Sequence, residues 1–93
     1  MLSLDTTVRI PAHVFFTSVD GASFLLDTRA NAYFALEEVG GRFWDLLEDG
    51  QPLAAIHARL LDEYEVEPAE LKRDLLELLD DLLENGLVEL VQA

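Results

Sequence analysis

The side chains of this 93-residue chain that could carry acid–base, nucleophilic or metal chemistry are two histidines, a few serines and nineteen acids, with no cysteine among them. A nucleophilic serine needs a base to take its proton and a carboxylate to orient that base. Ser3, Ser18 and Ser23 fall in the N-terminal segment and in a β-prone stretch, and neither histidine is spaced to serve them. His13 and His57 lie far apart with no thiolate to join them, so no zinc set assembles. His57 sits beside Ile56 and one turn from Leu53, where a histidine edges a core, and His13 at a strand start is expected in solvent. The acids run along continuous helix, unlike a looped calcium site. Gly40-Gly41 is followed by neither the glycines nor the Lys-Ser/Thr pair of a phosphate loop, so its expected role is steric. No serine opens a helix, as the carrier of a prosthetic arm would require. These absences argue against an enzyme, a metal site and a cofactor. What remains is binding.

Composition narrows what could be bound. With 51% hydrophobic and 27% charged residues the chain can bury a core of its own, and its length suits one domain over 1–93, with residues 1–7 as a flexible tail. Six basic against nineteen acidic residues give a formal net charge of -13. Such a chain repels a phosphate backbone and steers basic partners toward it, so nucleic acid is not an expected partner. The N-terminus MLSLDTTVRI lacks a signal-like apolar run, and no segment approaches the roughly 20 uncharged apolar residues of a membrane span. A cytoplasmic protein that keeps away from membranes is expected, and the lack of cysteine is compatible with a reducing compartment.

The elements that would position a binding surface can be read in order. His13–Val19 and Ala22–Asp27 flank Asp20-Gly21, the turn chemistry of a two-residue type I′ hairpin, which sets Val19 opposite Ala22, Thr17 opposite Phe24 and Phe15 opposite Leu26. The face carrying Phe15, Thr17, Val19, Ala22, Phe24 and Leu26 is the more apolar and is expected to be buried. The face with Phe16, Ser18, Ser23, Leu25 and Asp27 is expected to be partly solvated. Thr28–Asn31 makes a second reversal before a third strand in Ala32–Leu36, and Val8 and Ile10 suggest a short strand ended by Pro11. Helices are expected over Val39–Asp49, stopped by Gly50; from Pro52 through Glu65; and from Pro68 to Asn85-Gly86; Leu87–Val91 then closes the chain. The fold class is α+β, winged helix-turn-helix-like: an N-terminal three-stranded antiparallel sheet followed by three helices.

The third helix has more leucine than one contact needs. At ~100° per residue Leu71, Leu75, Leu78 and Leu82 form one seam and Leu76, Leu79 and Leu83 another, with Asp74 and Asp81 bordering the first. Such a surface requires two apolar neighbours. One is the core; the other is either the remaining helices and sheet or a groove that a ligand completes.

Three strands, then YFAL-EEVGGRFWDLLEDG, PLAAIHARLLDEYEV, a helix with Leu-x-x-Asp-Leu-x-x-Leu-Leu-x-x-Leu and a final Asn-Gly-Leu-Val resemble the PqqD-like family across residues 8–91. These small domains recognise precursor peptides of ribosomally made, later modified products. FLLD leading to YFAL, without a tryptophan-led strand ending in Pro-Glu, is closer to the stand-alone leader-binding (B1-type) proteins of lasso-peptide pathways than to the member acting in pyrroloquinoline quinone synthesis. The resemblance implies a precursor leader peptide as partner, together with a separate cysteine protease that removes the leader and a downstream cyclase. It further implies that the leader adds as a strand to Asn31, Ala32, Tyr33, Phe34, Ala35 and Leu36 against a helix wall at Asp74–Leu82. Leu75, Leu78 and Leu82, with Tyr33 or Phe34, would form the pocket, and Asp74 and Asp81 would pair with basic leader residues. The chain itself would be a monomer or weak dimer. The alternatives are an acidic winged-helix transcriptional regulator, against which the charge of the third helix argues, and a structural subunit that docks an enzyme.

Overall fold

The computed structural model describes residues 2–91. Strands β1 (Val8–Arg9), β2 (Val14–Val19), β3 (Ala22–Asp27) and β4 (Ala32–Leu36) precede helices α1 (Glu38–Glu48), α2 (Leu53–Glu63) and α3 (Pro68–Glu84), and β5 (Glu89–Leu90) ends the order. β2, β3 and β4 form an antiparallel meander, while β1 pairs separately with β5, where Arg9 reaches Glu89 at 2.9 Å. Of the tail expected over residues 1–7, residue 1 lies outside the described residues, and Leu2 and Leu4 pack against the core.

The β2–β3 turn has φ of 51° at Asp20 and 83° at Gly21, the paired positive values of type I′, and the register is the one read from the sequence. The second reversal depends on Asp27 and Asn31. Asp27 accepts the N–H groups of Arg29 at 2.9 Å and Ala30 at 3.1 Å, with His13 Nε2 3.8 Å from the same oxygen, so His13 is packed and not solvated. The Ala30 N–H, more than any other neighbour, holds this carboxyl below its ordinary range. Asn31 has φ 53° and belongs to the turn, so the strand begins at Ala32.

The buried face of the sheet is the opposite of the one expected. Val14, Leu25, Asp27 and Leu36 are buried, whereas Phe15 is 54%, Val19 56% and Tyr33 69% exposed. The polar residues of the inner face have structural partners there: Asp27 closes the turn, and Ser23 lies under α1, where a Cβ on Gly41 would stand 3.3 Å from its Oγ. Gly41 thus permits the close approach of helix to sheet.

Helices α1 and α3 end alike. Gly50 (φ 81°) and Gly86 (φ 71°) are left-handed, and the 6→1 bonds Gln51 N–H to Leu46 O at 3.2 Å and Leu87 N–H to Leu82 O at 2.9 Å complete two Schellman caps. The cap after α3 turns Leu87 and Val88 into a core built from Phe43, Trp44, Ile56, Leu60, Leu79 and Leu82. His57 edges it, with Nε2 2.9 Å from the Pro68 carbonyl.

A charged clamp ties α1 to α2. Arg42 donates to both carboxylate oxygens of Glu63 at 2.8 and 2.9 Å, and Arg59 adds a bond at 3.1 Å. The Arg42 bonds above all lower the Glu63 pKa from 4.5 to about 2. Because the folded value lies below the unfolded one, the clamp stabilises the fold fully above about pH 4.5 and is lost as pH falls toward about 2. Urea midpoints across that window are expected to drop more for the wild type than for Glu63→Gln, with Asp27 titrating equally in both. Parallel curves would mean that the clamp contributes nothing.

Candidate functional site

Which backbone groups of the sheet are unpaired follows from the hairpin. Residues flanking a two-residue turn exchange both hydrogen bonds, and bonded pairs recur at every second position. Val19 with Ala22 starts the series, and past the strand end Thr28 N–H still bonds the His13 carbonyl at 2.9 Å, keeping the same parity. Ser23, Leu25 and Asp27 therefore turn their backbone the other way, to Leu36, Phe34 and Ala32. On β4, Tyr33 and Ala35 are left with N–H and C=O pointing away from the sheet. Side chains alternate oppositely: Phe34 and Leu36 turn inward, while Tyr33 turns outward, where it meets Phe24 edge-on at 6.5 Å.

Along this open edge, between β4 and α3, runs a groove of about 560 Å³. Its apolar lining comes from Phe34 and Leu36, from Val39 and Gly40 at the start of α1, from Val66 in the α2–α3 connection, and from Leu71, Leu75 and Leu78. Gly40 keeps the floor low, since a Cβ there would touch Leu36 and Leu78 at 3.5 Å each. Glu37, Glu38, Asp74, Glu77 and Asp81 contribute to the lining, and no Lys, Arg or His does. The nearest countercharge is Arg73, 3.7 Å from Asp74 with both side chains largely in water, which is a weak pair. A second apolar cleft, of about 550 Å³, lies between Leu2 and the far side of α3 at Lys72 and Leu76, and no strand edge borders it.

Of the residues proposed from the sequence, the groove brings together Phe34, Ala35, Leu36, Asp74, Leu75, Leu78 and Asp81. Asn31 and Ala32 lie before it at the turn, Tyr33 faces the other side of the sheet, and Leu82 is fully buried in the core. Sequence reasoning missed Glu37, Glu38, Val39, Val66, Leu71 and Glu77 as lining residues. Only Val66 carried a local signal: it is a lone apolar residue between Glu65 and Glu67, and it is 40% exposed.

A small sheet with one open edge beside an apolar groove is the geometry that strand addition by an extended peptide uses. The chain belongs to the family of coenzyme PQQ synthesis protein D (PqqD), whose model matches residues 23–88. Among solved structures it is similar to TbiB1 in complex with the TbiA(beta) leader peptide, at 32% identity and TM-score 0.82, covering 91% of this chain and 99% of that one. It is also similar to a lasso peptide synthetase B1 complexed with the leader peptide, at 31% identity and TM-score 0.79, covering 87% of this chain and 95% of the other. No curated protein matches it by sequence. The resemblance to lasso-peptide B1 proteins read from FLLD leading to YFAL therefore holds, as does the α+β architecture of sheet followed by helices. No helix among the described residues is long and apolar enough to cross a membrane.

Proposed function

We propose that this chain is a non-catalytic carrier that binds the leader segment of a ribosomally made precursor peptide by strand addition to β4 and delivers it to a leader peptidase. The observation that carries this reading is the open β4 edge, with the outward groups of Tyr33 and Ala35, lying along the groove against α3. The two B1 relatives, each solved with a leader peptide, support it.

Magnitudes show why edge and groove act together. Four strand hydrogen bonds at ~1 kcal/mol each give about 4 kcal/mol, which barely meets an association cost of roughly 4 to 15 kcal/mol. Two or three apolar side chains buried against Leu75, Leu78 and Phe34, at roughly 1.5 to 3 kcal/mol each, bring the complex to about micromolar or tighter. The rim carboxylates then favour basic residues in the peptide and act more on the association rate than on affinity.

Fluorescence polarisation with a labelled leader peptide, the TbiA(beta) leader first, tests the binding step. A leader-cleavage assay with the cognate cysteine protease, with and without this chain, tests delivery. Asp74→Ala is expected to weaken binding only about two- to threefold, with the loss shrinking in high salt. No binding to the leader, together with co-purification of the peptidase, would replace the carrier by a docking subunit.

A further inference from the structure

We infer that two copies of this chain associate through their β2 edges, joining the two sheets into one of six strands and leaving both β4 edges free at its ends. β2 is the other open edge of the meander, since the strand order is β2-β3-β4. Edge strands of soluble proteins are guarded by charge, proline or a bulge. β2 reads VFFTSV, with no charged residue and no proline, and pairs with β3 in unbroken register.

The parity that fixed the free groups of β4 also fixes those of β2. Phe15, Thr17 and Val19 are bonded to β3, so Phe16 and Ser18 present both N–H and C=O outward, while the Val14 N–H is taken by the Pro11 carbonyl at 3.1 Å. An antiparallel two-fold pairing must set such outward residues opposite each other. Centred on Thr17, it does so twice, Phe16 with Ser18 of the second copy and the converse.

The same register sets Phe15 of each copy opposite Val19 of the other on the outer face. These are the two large apolar residues that β2 leaves exposed, at 54% and 56%, and an aromatic facing a β-branched residue is a favourable cross-strand pair. Shifting the centre to Phe16 or Ser18 breaks both pairs. The exposed positions are thus symmetric about Thr17, so a second copy is the partner that complements them without further adaptation.

Charge favours this edge over β4 for self-pairing. The chain carries -13 overall, and joining β4 edges would oppose two acid-lined grooves. β2 itself carries no acid: Asp27 lies across from Val14 on β3 with His13 against it, and in the Thr17-centred register the two Asp20 residues that follow the strands stand about 20 Å apart, beyond the ~8 Å screening length.

Sedimentation equilibrium of the full chain from micromolar to near-millimolar concentration is expected to reach twice the 10.4 kDa chain mass. Thr17→Asp and Thr17→Lys alone are each expected to raise the dimer dissociation constant by roughly tenfold or more, and an equimolar mixture of the two to restore dimer. Ser18→Pro removes an outward N–H without touching the β3 ladder and is expected to give a folded monomer by circular dichroism. A wild type that stays at 10.4 kDa throughout would mean that the edge serves a different protein or none, and would overturn the inference. So would a dimer that survives Ser18→Pro, a mixture that fails to restore pairing, or dissociation by a proline on β4.

Discussion

Ala35→Pro is expected to abolish leader binding while leaving the domain folded. The Ala35 N–H points away from β3, so proline removes no hydrogen bond from the sheet, and an edge strand accepts the ring on its open side. For an incoming strand the same change deletes one donor and sets the ring where the peptide backbone must lie. Losing one bond and disturbing its neighbours amounts to ~2 kcal/mol or more, an affinity loss of roughly 30-fold at least. Phe34→Pro is the contrasting variant. Its N–H belongs to the bonded pair with Leu25, which is fully buried, so that substitution breaks the sheet and is expected to unfold the domain. Circular dichroism and fluorescence polarisation on the pair separate the two effects. Wild-type affinity in a folded Ala35→Pro protein would remove β4 as the docking edge.

Leu78→Glu should cost about 100-fold in affinity. Leu78 is half-buried on the groove wall opposite Gly40, so its replacement strips an apolar contact worth roughly 1.5 to 3 kcal/mol and adds a carboxylate beside Asp74, Glu77 and Asp81. Being only partly buried, it is expected to reduce stability by about 1 to 2 kcal/mol without unfolding the domain. Leu76→Glu is the matched control, because Leu76 is also half-buried but lies on the other side of α3 facing Leu2. It should lose comparable stability and keep its affinity. Equal losses of binding in both variants would make the effect one of folding and not of the groove.

What could be read from the sequence was what short-range chemistry dictates. Asp20-Gly21 specified a turn with two positive φ values and hence the whole β2–β3 register, and Gly50 and Gly86 marked helix ends by the same left-handed geometry. Apolarity of the hairpin alone does not identify the buried face of the sheet. Within the hairpin turnward of Val14, Phe15, Val19, Phe24 and Leu26 outweigh Phe16 and Leu25, yet Val14, Phe34 and Leu36 join the inner face, where Asp27 anchors the β3–β4 turn and Ser23 fits beneath Gly41. Both depend on contacts formed only when the turn and α1 are in place. Leu82 was misassigned for a related reason. Leu75 and Leu78 sit on the groove side, whereas the chain after Gly86 folds back through its Schellman cap and brings Leu87 and Val88 into the core that holds Leu82. Val39 and Val66 join the groove from two other elements, which helical periodicity in one segment could not reveal.

The alternation along β4 bears on how precursor genes can drift. Main-chain groups are offered at every second residue, and main chain is what all peptides share, so the edge itself sets no requirement on a precursor's codons. For a leader added to this edge, only side chains turned toward Phe34, Leu36 and α3 would be tested for fit, while their neighbours would project to the open side of the sheet. Selection acting through this carrier would therefore constrain alternate positions of a leader and leave the intervening ones to vary, allowing one recognition domain to keep pace with a changing substrate gene.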